Sequence, residues 1–419
     1  MQTQIKSVDV LVIGAGPSGT ITAAILKKHG HNVCIIEKLS FPRFVIGESL
    51  LPRCMEAFEE AGLLECLEKK GYQQKFGAKF VAGDGDTEQI FDINFSEAHT
   101  EGKTWTWQVP RDDFDKTLAD ECEKKGIPVS YLTEVVGIEF NEDESSITTV
   151  KKQDGSFEKI SAQFIVDGSG YGRVIPKLFS LDKPSEQPQR QALFTHYKDL
   201  NRETSGNNEP NRITIYIYDK MTWVWCIPFS NGYCSVGFVG SPDFFDRLKQ
   251  ESPEEKLKYL ISTHKNLNAR FGNCEMRLSP MTLKGWSSST EKFYGKGYVL
   301  TGNVTEFLDP IFSSGVTLAS VSAQGAALLV HKKLSGHAVD WENEYQRVCQ
   351  KGVDVFRTYV ESWYDQKLHT VFFSKNQNEN MRKQISSVLA GYVWDDTNPF
   401  VSQHKKYIDK LSQFLATRD

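Results

Sequence analysis

Three glycines near the start of the chain have the spacing of a nucleotide-binding turn. The segment GAGPSG places Gly14, Gly16 and Gly19 in a GxGxxG pattern, directly after the apolar run VDVLVI and before a helical stretch that ends near Gly30. In such a turn the first glycine allows the sharp bend, the second lets the backbone approach a pyrophosphate, and the third permits close packing of the helix on the strand. The strand–turn–helix context favours a dinucleotide site over a turn that binds nothing.

An acidic residue and two distant segments extend this site. The second apolar strand, VCIIE, ends in Glu37, whose carboxylate can accept hydrogen bonds from a ribose. A further apolar strand, FIVDGSGYGR (164–173), ends in Asp167 and glycines, and the segment 296–330 again runs strand, loop, helix. This pattern indicates that both segments add strands to the nucleotide sheet, although they lie far along the chain from its first strand. GSGYG lacks the final spacing and the ribose acid, so only one dinucleotide motif is complete.

Residues 221–228, MTWVWCIP, put two tryptophans on one strand. Because successive side chains of a strand alternate between its faces, Trp223 and Trp225 point the same way. They form a large, flat wall with two indole N–H groups that need partners. The two-residue alternation continues across 191–240, with a hairpin signal at Asn231-Gly232, and predicts an antiparallel sheet. The wall packs on a helix or lines a substrate pocket, and both interpretations stay open at this point.

Taken together, these motifs resemble the FAD-binding oxidoreductases of the aromatic-hydroxylase type, and within them the flavin-dependent halogenases and the geranylgeranyl reductases. The resemblance covers residues 8 to about 330 and rests on six segments: GAGPSG with Glu37, FPRFVIGESLLP (41–52), PRDDFDKTL (110–118), DGSGYGR (167–173), WVWCIP (223–228) and FLDPIFSSGVTLA (307–319). The last two segments, with GESLLP, are typical of the halogenase branch.

The resemblance implies FAD as the cofactor and a halide ion, chloride or bromide, as a further ligand. The cofactor-binding residues that it implies are Gly14, Gly16, Pro17, Ser18, Gly19, Glu37, Lys38, Arg43, Gly47, Glu48, Ser49, Arg111, Val135, Asp167, Gly168, Gly302, Asn303, Asp309, Ser314, Gly315 and Val316. The implied substrate pocket contains Trp223, Trp225, Phe312 and Ser313. The amides of Ser314 and Gly315, at a helix start, would favour an anionic reduced flavin. A plain helix N-cap is the alternative for this loop, and a salt bridge at a helix start is the alternative for Arg111.

Lys75, in QQKFGAKF, is the candidate catalytic residue. At the matching position, halogenases carry a lysine that lies beside the substrate and relays hypohalous acid, as a hydrogen-bond donor or as a chloramine. Burial in a dry pocket disfavours an ammonium group and lowers its pKa toward the working pH. The alternative is a solvated lysine on a strand edge.

Two positions depart from the family pattern. Gly302-Asn303 stands where the pattern has Gly-Asp, so the contact to the ribityl chain loses an anionic group, although an amide can still donate and accept hydrogen bonds. Phe312 stands where tryptophan halogenases carry a glutamate, which halogenases acting on phenols or pyrroles also lack. None of the nine histidines shows a pairing that indicates a metal site or a catalytic dyad.

Three functions follow from this reading. The first is a halogenase-like enzyme that acts on an electron-rich aromatic substrate through reduced FAD and oxygen. The second is an FAD-dependent reductase, dehydrogenase or monooxygenase acting on a lipid-like or aromatic substrate, and the third is a non-catalytic FAD-binding redox module. With one dinucleotide site, NAD(P)H must bind transiently, or a partner flavin reductase must supply reduced flavin.

Bulk properties narrow the choice of partners and location. The chain of 419 residues has a formal net charge of −5 and no block of Lys and Arg, which argues against nucleic-acid binding. No apolar run is long enough for a membrane span, so we expect no stable membrane insertion. The N-terminus lacks the order of a secretion signal, and the eight cysteines show no CxxC pair or zinc spacing. We therefore expect a cytoplasmic protein without a metal.

The elements that position these residues form an α/β plus antiparallel-β fold. We expect a Rossmann-like FAD-binding domain, an inserted antiparallel-sheet substrate domain, and a C-terminal helical region. The FAD-binding domain is assigned to 1–80, 105–180 and 285–335, the substrate domain to 81–104 and 181–284, and the helical region to 336–419. A helix at about 253–264 is expected to begin with a capping box formed by Ser252 and Glu255.

Overall fold

The apolar run after residue 5 forms the centre of a mostly parallel sheet in a computed structural model of the protein, which describes residues 5–85, 88–184, 187–202, 209 and 211–418. The strands of the described residues, in chain order, are β1 Lys6–Ile13, β2 Val33–Ile36, β3 Gln73–Lys75, β4 Gly77–Ala82, β5 Gln89–Asn94, β6 Thr106–Gln108, β7 Val129–Ser130, β8 Thr133–Phe140, β9 Ser146–Lys152, β10 Phe157–Asp167, β11 Asp182–Lys183, β12 Gln191–Lys198, β13 Thr214–Ile217, β14 Trp223–Pro228, β15 Tyr233–Gly240, β16 Met281–Lys284, β17 Ser288–Thr290, β18 Tyr294–Gly295, β19 Tyr298–Leu300 and β20 Glu306–Phe307.

The helices of the same residues are α1 Pro17–Lys28, α2 Cys54–Glu60, α3 Leu64–Glu68, α4 Arg111–Lys124, α5 Val174–Phe179, α6 Pro242–Asp246, α7 Pro253–Ser262, α8 Lys265–Phe271, α9 Ser314–Leu334, α10 Arg347–Tyr364, α11 Lys367–Phe373, α12 Glu379–Leu389, α13 Pro399–Ser402 and α14 His404–Ala416.

The first sheet has the strand order β18-β19-β10-β1-β2-β7, and β8 and β9 continue from β10. β1 pairs in parallel with β2 and β10, and β10 pairs in parallel with β19. The two distant segments therefore return to the nucleotide sheet, as their sequence pattern predicts. Residues of β1 such as Val10 and Val12 are fully buried, because helices cover this sheet.

Helices α1 and α9 pack against each other on this sheet. The third glycine of the motif has the packing role expected of it: a Cβ at Gly19 would lie 1.8 Å from the carbonyl oxygen of Gly14. The most apolar stretch of the chain belongs to α9, and its residues are largely buried. Within the described ranges, no helix combines the length and the apolarity that crossing a membrane requires.

The second sheet has the strand order β16-β12-β15-β14-β13-β4-β5. Its neighbours pair antiparallel except for β13 and β4, which are parallel. The antiparallel sheet predicted over 191–240 is thus present, and β4 and β5 extend it at one edge. The predicted domain boundary after residue 80 falls inside β4, because the whole strand Gly77–Ala82 pairs within this sheet.

The tryptophan-bearing face of the second sheet packs against the C-terminal helices. Trp223 and Trp225 share one buried cluster with Phe356 and Trp363 of α10. The alternate residues Val224 and Cys226 face the other side, where α6, α7 and α8 cover them. The predicted helical region therefore lies over the sheet, and the capping box at the start of α7 is confirmed.

Trp225 lies across the β14–β15 pair, directly over Gly237. A Cβ at Gly237 would lie 2.2 Å from the Trp225 ring. We expect Gly237→Ala to displace the indole and to lower the free energy of unfolding by roughly 1–3 kcal/mol, because added volume in a packed core forces strain. Urea denaturation midpoints measure this loss.

The matched control is Gly137→Ala on β8, where an added Cβ would lie 4.0 Å from its neighbour Thr149. That change should leave the midpoint nearly unchanged. Equal midpoints for the two variants would show that the Trp225 indole is not held against Gly237.

Candidate functional site

A cavity of about 780 Å³ opens between the ends of the parallel strands and the tryptophan face of the second sheet. The residues lining it are Ile13, Gly14, Gly16, Pro17, Ser18, Ile36, Glu37, Lys38, Leu39, Arg43, Val45, Ile46, Gly47, Glu48, Ser49, Arg111, Thr133, Glu134, Val135, Val136, Gly168, Ser169, Gly170, Tyr171, Gly172, Val174, Lys177, Leu178, Ile213, Ile215, Trp223, Trp225, Ile227, Asn303, Phe307, Leu308, Pro310, Ile311, Ser313, Gly315, Val316 and Ala319. Its walls are therefore polar at the motif end and apolar at the tryptophan end.

The structure brings most of the sequence-predicted site residues to this one cavity. Those that line it are Gly14, Gly16, Pro17, Ser18, Glu37, Lys38, Arg43, Gly47, Glu48, Ser49, Arg111, Val135, Gly168, Asn303, Gly315 and Val316, together with Trp223, Trp225 and Ser313. Lys75, Gly19, Asp167, Gly302, Asp309, Phe312 and Ser314 are not among the lining residues. Sequence reasoning missed the apolar residues Ile213, Ile215 and Phe307, since isolated apolar residues in strands carry no separate signal.

Glu37 holds the motif turn as well as facing the cavity. Its carboxylate oxygens accept hydrogen bonds from the backbone N–H groups of Ala15 and Leu39, each at 2.9 Å. A carboxylate can accept more than one hydrogen bond per oxygen, so lone pairs remain for ribose hydroxyls. Glu37 therefore holds the motif turn in place and can also bind the same nucleotide as that turn.

Two arginines and one aspartate form a cluster with a net positive charge at the motif end. Asp115 is fully buried and lies between Arg111, at 2.7 Å, and Arg43, at 3.1 Å. A Cβ at Gly16 would lie 3.4 Å from the Arg43 guanidinium, so this charge stands beside the motif glycine. Two guanidinium groups against one carboxylate leave about one net positive charge for a pyrophosphate. Arg111 both forms the salt bridge and lines the cavity, so the two interpretations of this residue are compatible.

The long helix α9 begins at the cavity. Ser313 precedes it with a φ of 56°, and Gly315 and Val316 in its first turn line the cavity wall. The first N–H groups of a helix have no acceptor within the helix and carry its positive end. They can therefore bind an anion or an electron-rich ring edge.

Both indole N–H groups of the tryptophan wall have partners. Trp223 Nε1 donates to the Tyr364 hydroxyl at 3.0 Å, and Trp225 Nε1 donates to Ser235 Oγ at 3.0 Å. The Tyr364 hydroxyl in turn donates to Asp309 Oδ2 at 2.9 Å. Burial raises the pKa of Asp309 to about 6. Asp309 therefore acts behind the cavity, as the anchor of the wall.

Three other predicted residues support the cavity from outside its lining. The Asp167 carboxylate accepts from the N–H groups of Ser169 and Ile175, at 3.0 and 2.7 Å, so it holds the loop after β10. Gly302 donates its N–H to Ser322 in α9 at 2.9 Å. Phe312 was expected in the substrate pocket, but it is only 3% exposed and packs on aromatic rings of the core.

Lys75 is buried at the end of β3, and the alternative of a solvated strand-edge lysine is wrong. Its Nζ donates to Ser49 Oγ and to the Leu50 carbonyl oxygen, both at 2.8 Å. Burial lowers its pKa from 10.5 to about 7. Ser49 stands between the amine and the cavity, and the ring of Phe95 covers the amine at 5.4 Å. Lys75 is thus a dry amine connected to the cavity through one hydroxyl.

The structure also shows a carboxylate–imidazole pair that the sequence did not reveal. His196 Nε2 on β12 lies 2.7 Å from Glu48 Oε1, and both side chains are buried. No pairing of His196 is apparent in the sequence, and the structure shows its contact with Glu48. Residues 148 positions apart meet only through the packing of the second sheet on the 43–49 loop, so no local pattern could reveal the pair.

The lining residues fit FAD. The glycine turn, the net positive charge and Glu37 suit a pyrophosphate and a ribose, and the apolar end suits a flat ring system. The positive end of helix α9 lies at the cavity wall, where it would favour an electron-rich ring edge. Among the described residues, no group of three or more metal-ligating side chains is arranged for a metal ion.

Comparison with known proteins agrees with this geometry. A family model described as "FAD binding domain" matches residues 7–237, more than half of the chain. A crystal structure of a flavoprotein/dehydrogenase from Cytophaga hutchinsonii is 49% identical, with a TM-score of 0.94 over 98% of this chain and 99% of that chain.

Two halogenating relatives match over nearly their whole length. The 1H-pyrrole-2-carbonyl-(peptidyl-carrier protein) brominase of Pseudoalteromonas luteoviolacea is 27% identical, covering 94% of each protein. The corresponding chlorinase of Pseudomonas fluorescens is 26% identical, covering 97% of this chain and 93% of the chlorinase. The structure of the flavin-dependent brominase Bmp2 is 25% identical, with a TM-score of 0.81 over 97% of this chain and all of that one.

We expect Gly16→Val to abolish stoichiometric FAD binding, because the side chain would occupy the space through which a pyrophosphate reaches the backbone. The nearest atoms to a Cβ at Gly16 lie at 3.4 and 3.9 Å, so the first side-chain carbon fits there without a clash. Flavin absorbance per protein after purification measures the loss. Gly137→Val, outside the cavity lining, is the control, and full flavin content in the Gly16 variant would refute the site.

Lys75 also makes stability depend on pH. Because its pKa is lowered to about 7 in the folded protein, the unfolded state binds an extra proton between about pH 7 and 10.5. The free energy of unfolding therefore gains a contribution that rises with pH across this window. Lys75→Met lacks that proton, so its free energy of unfolding relative to the wild type should fall as the pH rises from 7 toward 10.

Urea denaturation at a series of pH values measures the difference between the two proteins. Lys70→Met, at an exposed lysine that pairs with Asp113, is the control and should show a constant difference from the wild type. A constant difference for Lys75→Met as well would contradict a buried, near-neutral amine.

Proposed function

This chain belongs to the FAD binding domain family, and we propose that it is a flavin-dependent halogenase that acts on an electron-rich aromatic ring. When bound, reduced FAD supplies two electrons to oxygen, so that halide and a proton yield hypohalous acid and water. Hypohalous acid then replaces a ring hydrogen with halogen and releases a second water. The residues of this chain bind the cofactor, exclude water and position the oxidant.

The observation that carries the proposal is the state of Lys75. A neutral amine has two N–H donors, and Ser49 and the Leu50 carbonyl accept both of them. We propose that the oxidant reaches the amine past Ser49, where the remaining lone pair takes up its halogen or, in the ammonium form, the third N–H donates to it. A pKa of about 7 makes both forms available near neutral pH.

The tryptophan wall supplies the second requirement of this chemistry, which is separation of the cofactor from other reactants. Trp223 and Trp225 are 2% and 5% exposed and stand 5.9 Å apart, with Ile213 and Ile215 beside them. None of these four side chains carries a charge, so the wall excludes water from the apolar end of the cavity.

The second candidate is an FAD-dependent dehydrogenase or reductase. It is favoured by the 49% identical structure, which is described as a flavoprotein/dehydrogenase. Hydride transfer between a substrate and the flavin requires direct contact with the ring, and Lys75 has no role in it. Only the halogenase candidate therefore requires Lys75.

Substrate delivery and electron supply follow from the same comparison. The brominase and the chlorinase act on pyrrole carbonyl groups held on a peptidyl-carrier protein, and we propose that this chain takes either a free or a carrier-bound small aromatic. A separate flavin reductase would provide the reduced cofactor. All eight cysteines are free thiols, which suits the reducing cytoplasm.

We expect Lys75→Met to reduce halogenated product roughly 10²-fold or more, because nothing then positions the oxidant beside the ring. Bound FAD and oxygen consumption should stay near wild-type values, since neither depends on the amine. The assay supplies reduced flavin, oxygen and bromide with a panel of phenols, indoles and pyrroles, and detects products by mass spectrometry.

Lys70→Met is the control and should keep wild-type product levels. Wild-type product from the Lys75 variant would remove the residue from the mechanism. If the wild-type protein instead reduces a dye at the expense of an organic substrate and forms no brominated product, the dehydrogenase candidate is correct.

A further inference from the structure

The Glu48–His196 pair stands at the cavity wall with hydrogen-bonding capacity that the protein leaves unused. Glu48 is 1% exposed and His196 is 2% exposed. Glu48 Oε2 and His196 Nδ1 are buried and find no hydrogen-bond partner among the described residues. Buried polar atoms without partners are costly, and in functional sites a ligand or a proton satisfies them.

The pair lies between the cofactor helix and the tryptophan wall. Gly47, next to Glu48, comes close to α9, since a Cβ there would lie 4.0 Å from Val316. On β12, His196 faces the same side as Phe194, whose ring is 5.7 Å from that of Trp225. Glu48 itself lines the cavity.

The surroundings of the pair are dry, and the charges near it are few. The rings of Phe44 and Phe229 pack on the imidazole at 5.6 and 5.2 Å. From α4, Arg111 approaches this loop and donates to the Gly47 carbonyl oxygen, with Asp115 as its counter-ion. The other titratable groups nearby are Lys75, through Ser49, and Tyr171, which interacts with Arg111.

The carboxylate and the imidazole lie 2.7 Å apart and form one hydrogen-bonded unit, so a proton bound by either group also contacts the other. When nearby negative charge increases inside a low-dielectric site, such a unit responds by binding a proton. Two-electron reduction of the cofactor to its anionic form is such a change in charge.

We propose that the Glu48–His196 pair takes up one proton when the bound FAD is reduced and returns it when FAD is reoxidised. Reduction places two electrons and one proton on FAD, and one further proton on the pair. Anionic reduced FAD, oxygen, halide and two protons then give FAD, hypohalous acid and water. The pair supplies one of these protons and solvent supplies the other.

The return of the proton rests on the proposed halogenation, whereas its uptake requires only bound flavin. His196 is a positioning and proton-holding residue, since it reaches the cavity through Glu48. The reductant is dithionite in the experiment and a reduced flavin or nicotinamide in the proposed function.

A redox titration of the FAD-loaded protein tests the uptake without any substrate. The midpoint potential is measured from about pH 6 to about pH 9, in the range where histidine titrates, and its slope gives the protons taken up per two electrons. The reduced absorbance spectrum must be that of the anionic form. We expect two protons for the wild type and one for His196→Gln, whose amide still donates to Glu48 but cannot hold the proton.

Glu48→Gln should show the same loss of one proton, so the proposal does not depend on one variant. His264→Gln is the control, because His264 is also buried, packs on Tyr216 and does not line the cavity. It should keep the wild-type slope. A one-proton slope in the wild type, or an unchanged slope in both pair variants, would overturn the proposal.

Infrared difference spectra of the wild-type protein with isotopically labelled histidine give a measurement that needs no variant. Reduction should produce an imidazole or carboxyl protonation band, and its absence would also overturn the proposal. If the proton slope is as expected but no halogenated product forms, proton uptake by the pair stands and the proposed function fails.

Discussion

The shape of the cavity depends on one buried hydrogen-bond chain that joins three distant parts of the protein. The Trp223 indole donates to Tyr364 at the end of α10, and Tyr364 donates to Asp309 in the loop before α9. Arg190 covers the Tyr364 ring at 3.8 Å. The wall of the second sheet, the helical region and the cofactor loop are thereby held in one arrangement. Separating buried polar atoms from their partners costs free energy, so this hydrogen-bond chain stabilises one arrangement of the three parts.

Ionisable groups cluster around this arrangement, although burial opposes their charge. Lys75 and Asp309 have shifted pKa values because they are desolvated, and Glu48 and His196 are buried as a pair. A buried proton acceptor or donor with a shifted pKa is typical of a functional site, since structure alone is better served by apolar residues. Here these groups surround the apolar end of the cavity, whereas the arginines and Glu37 serve the polar end. In the proposed function, this division separates the residues that hold the cofactor from those that handle protons and oxidant.

The same scaffold serves different chemistries among its relatives. A protein described as a dehydrogenase shares 49% of the sequence, and proteins described as brominase and chlorinase share about a quarter of it. The relatives therefore share the fold and the cofactor, and a few side chains beside the flavin determine the reaction. Phe312 lies in the aromatic core, and Lys75 has Ser49 and the Leu50 carbonyl as hydrogen-bond partners.

The sequence by itself determined the nucleotide-binding elements and the two kinds of sheet. Glycine spacing, apolar strands and two-residue alternation are local properties, so β1, α1, β10 and the tryptophan strand could all be predicted from them, whereas FAD as the cofactor came from the family resemblance. The environment of Lys75 could be anticipated only through a family resemblance.

What only the tertiary structure decided was which side chains meet. Glu48 and His196 are 148 residues apart, and Tyr364 reaches Asp309 across 55 residues. Phe312 turned into the core instead of the cavity because aromatic rings from β4 and α10 surround it there. Such contacts depend on how two sheets and a helical layer pack, and packing is a property of the whole chain that no short stretch of it contains.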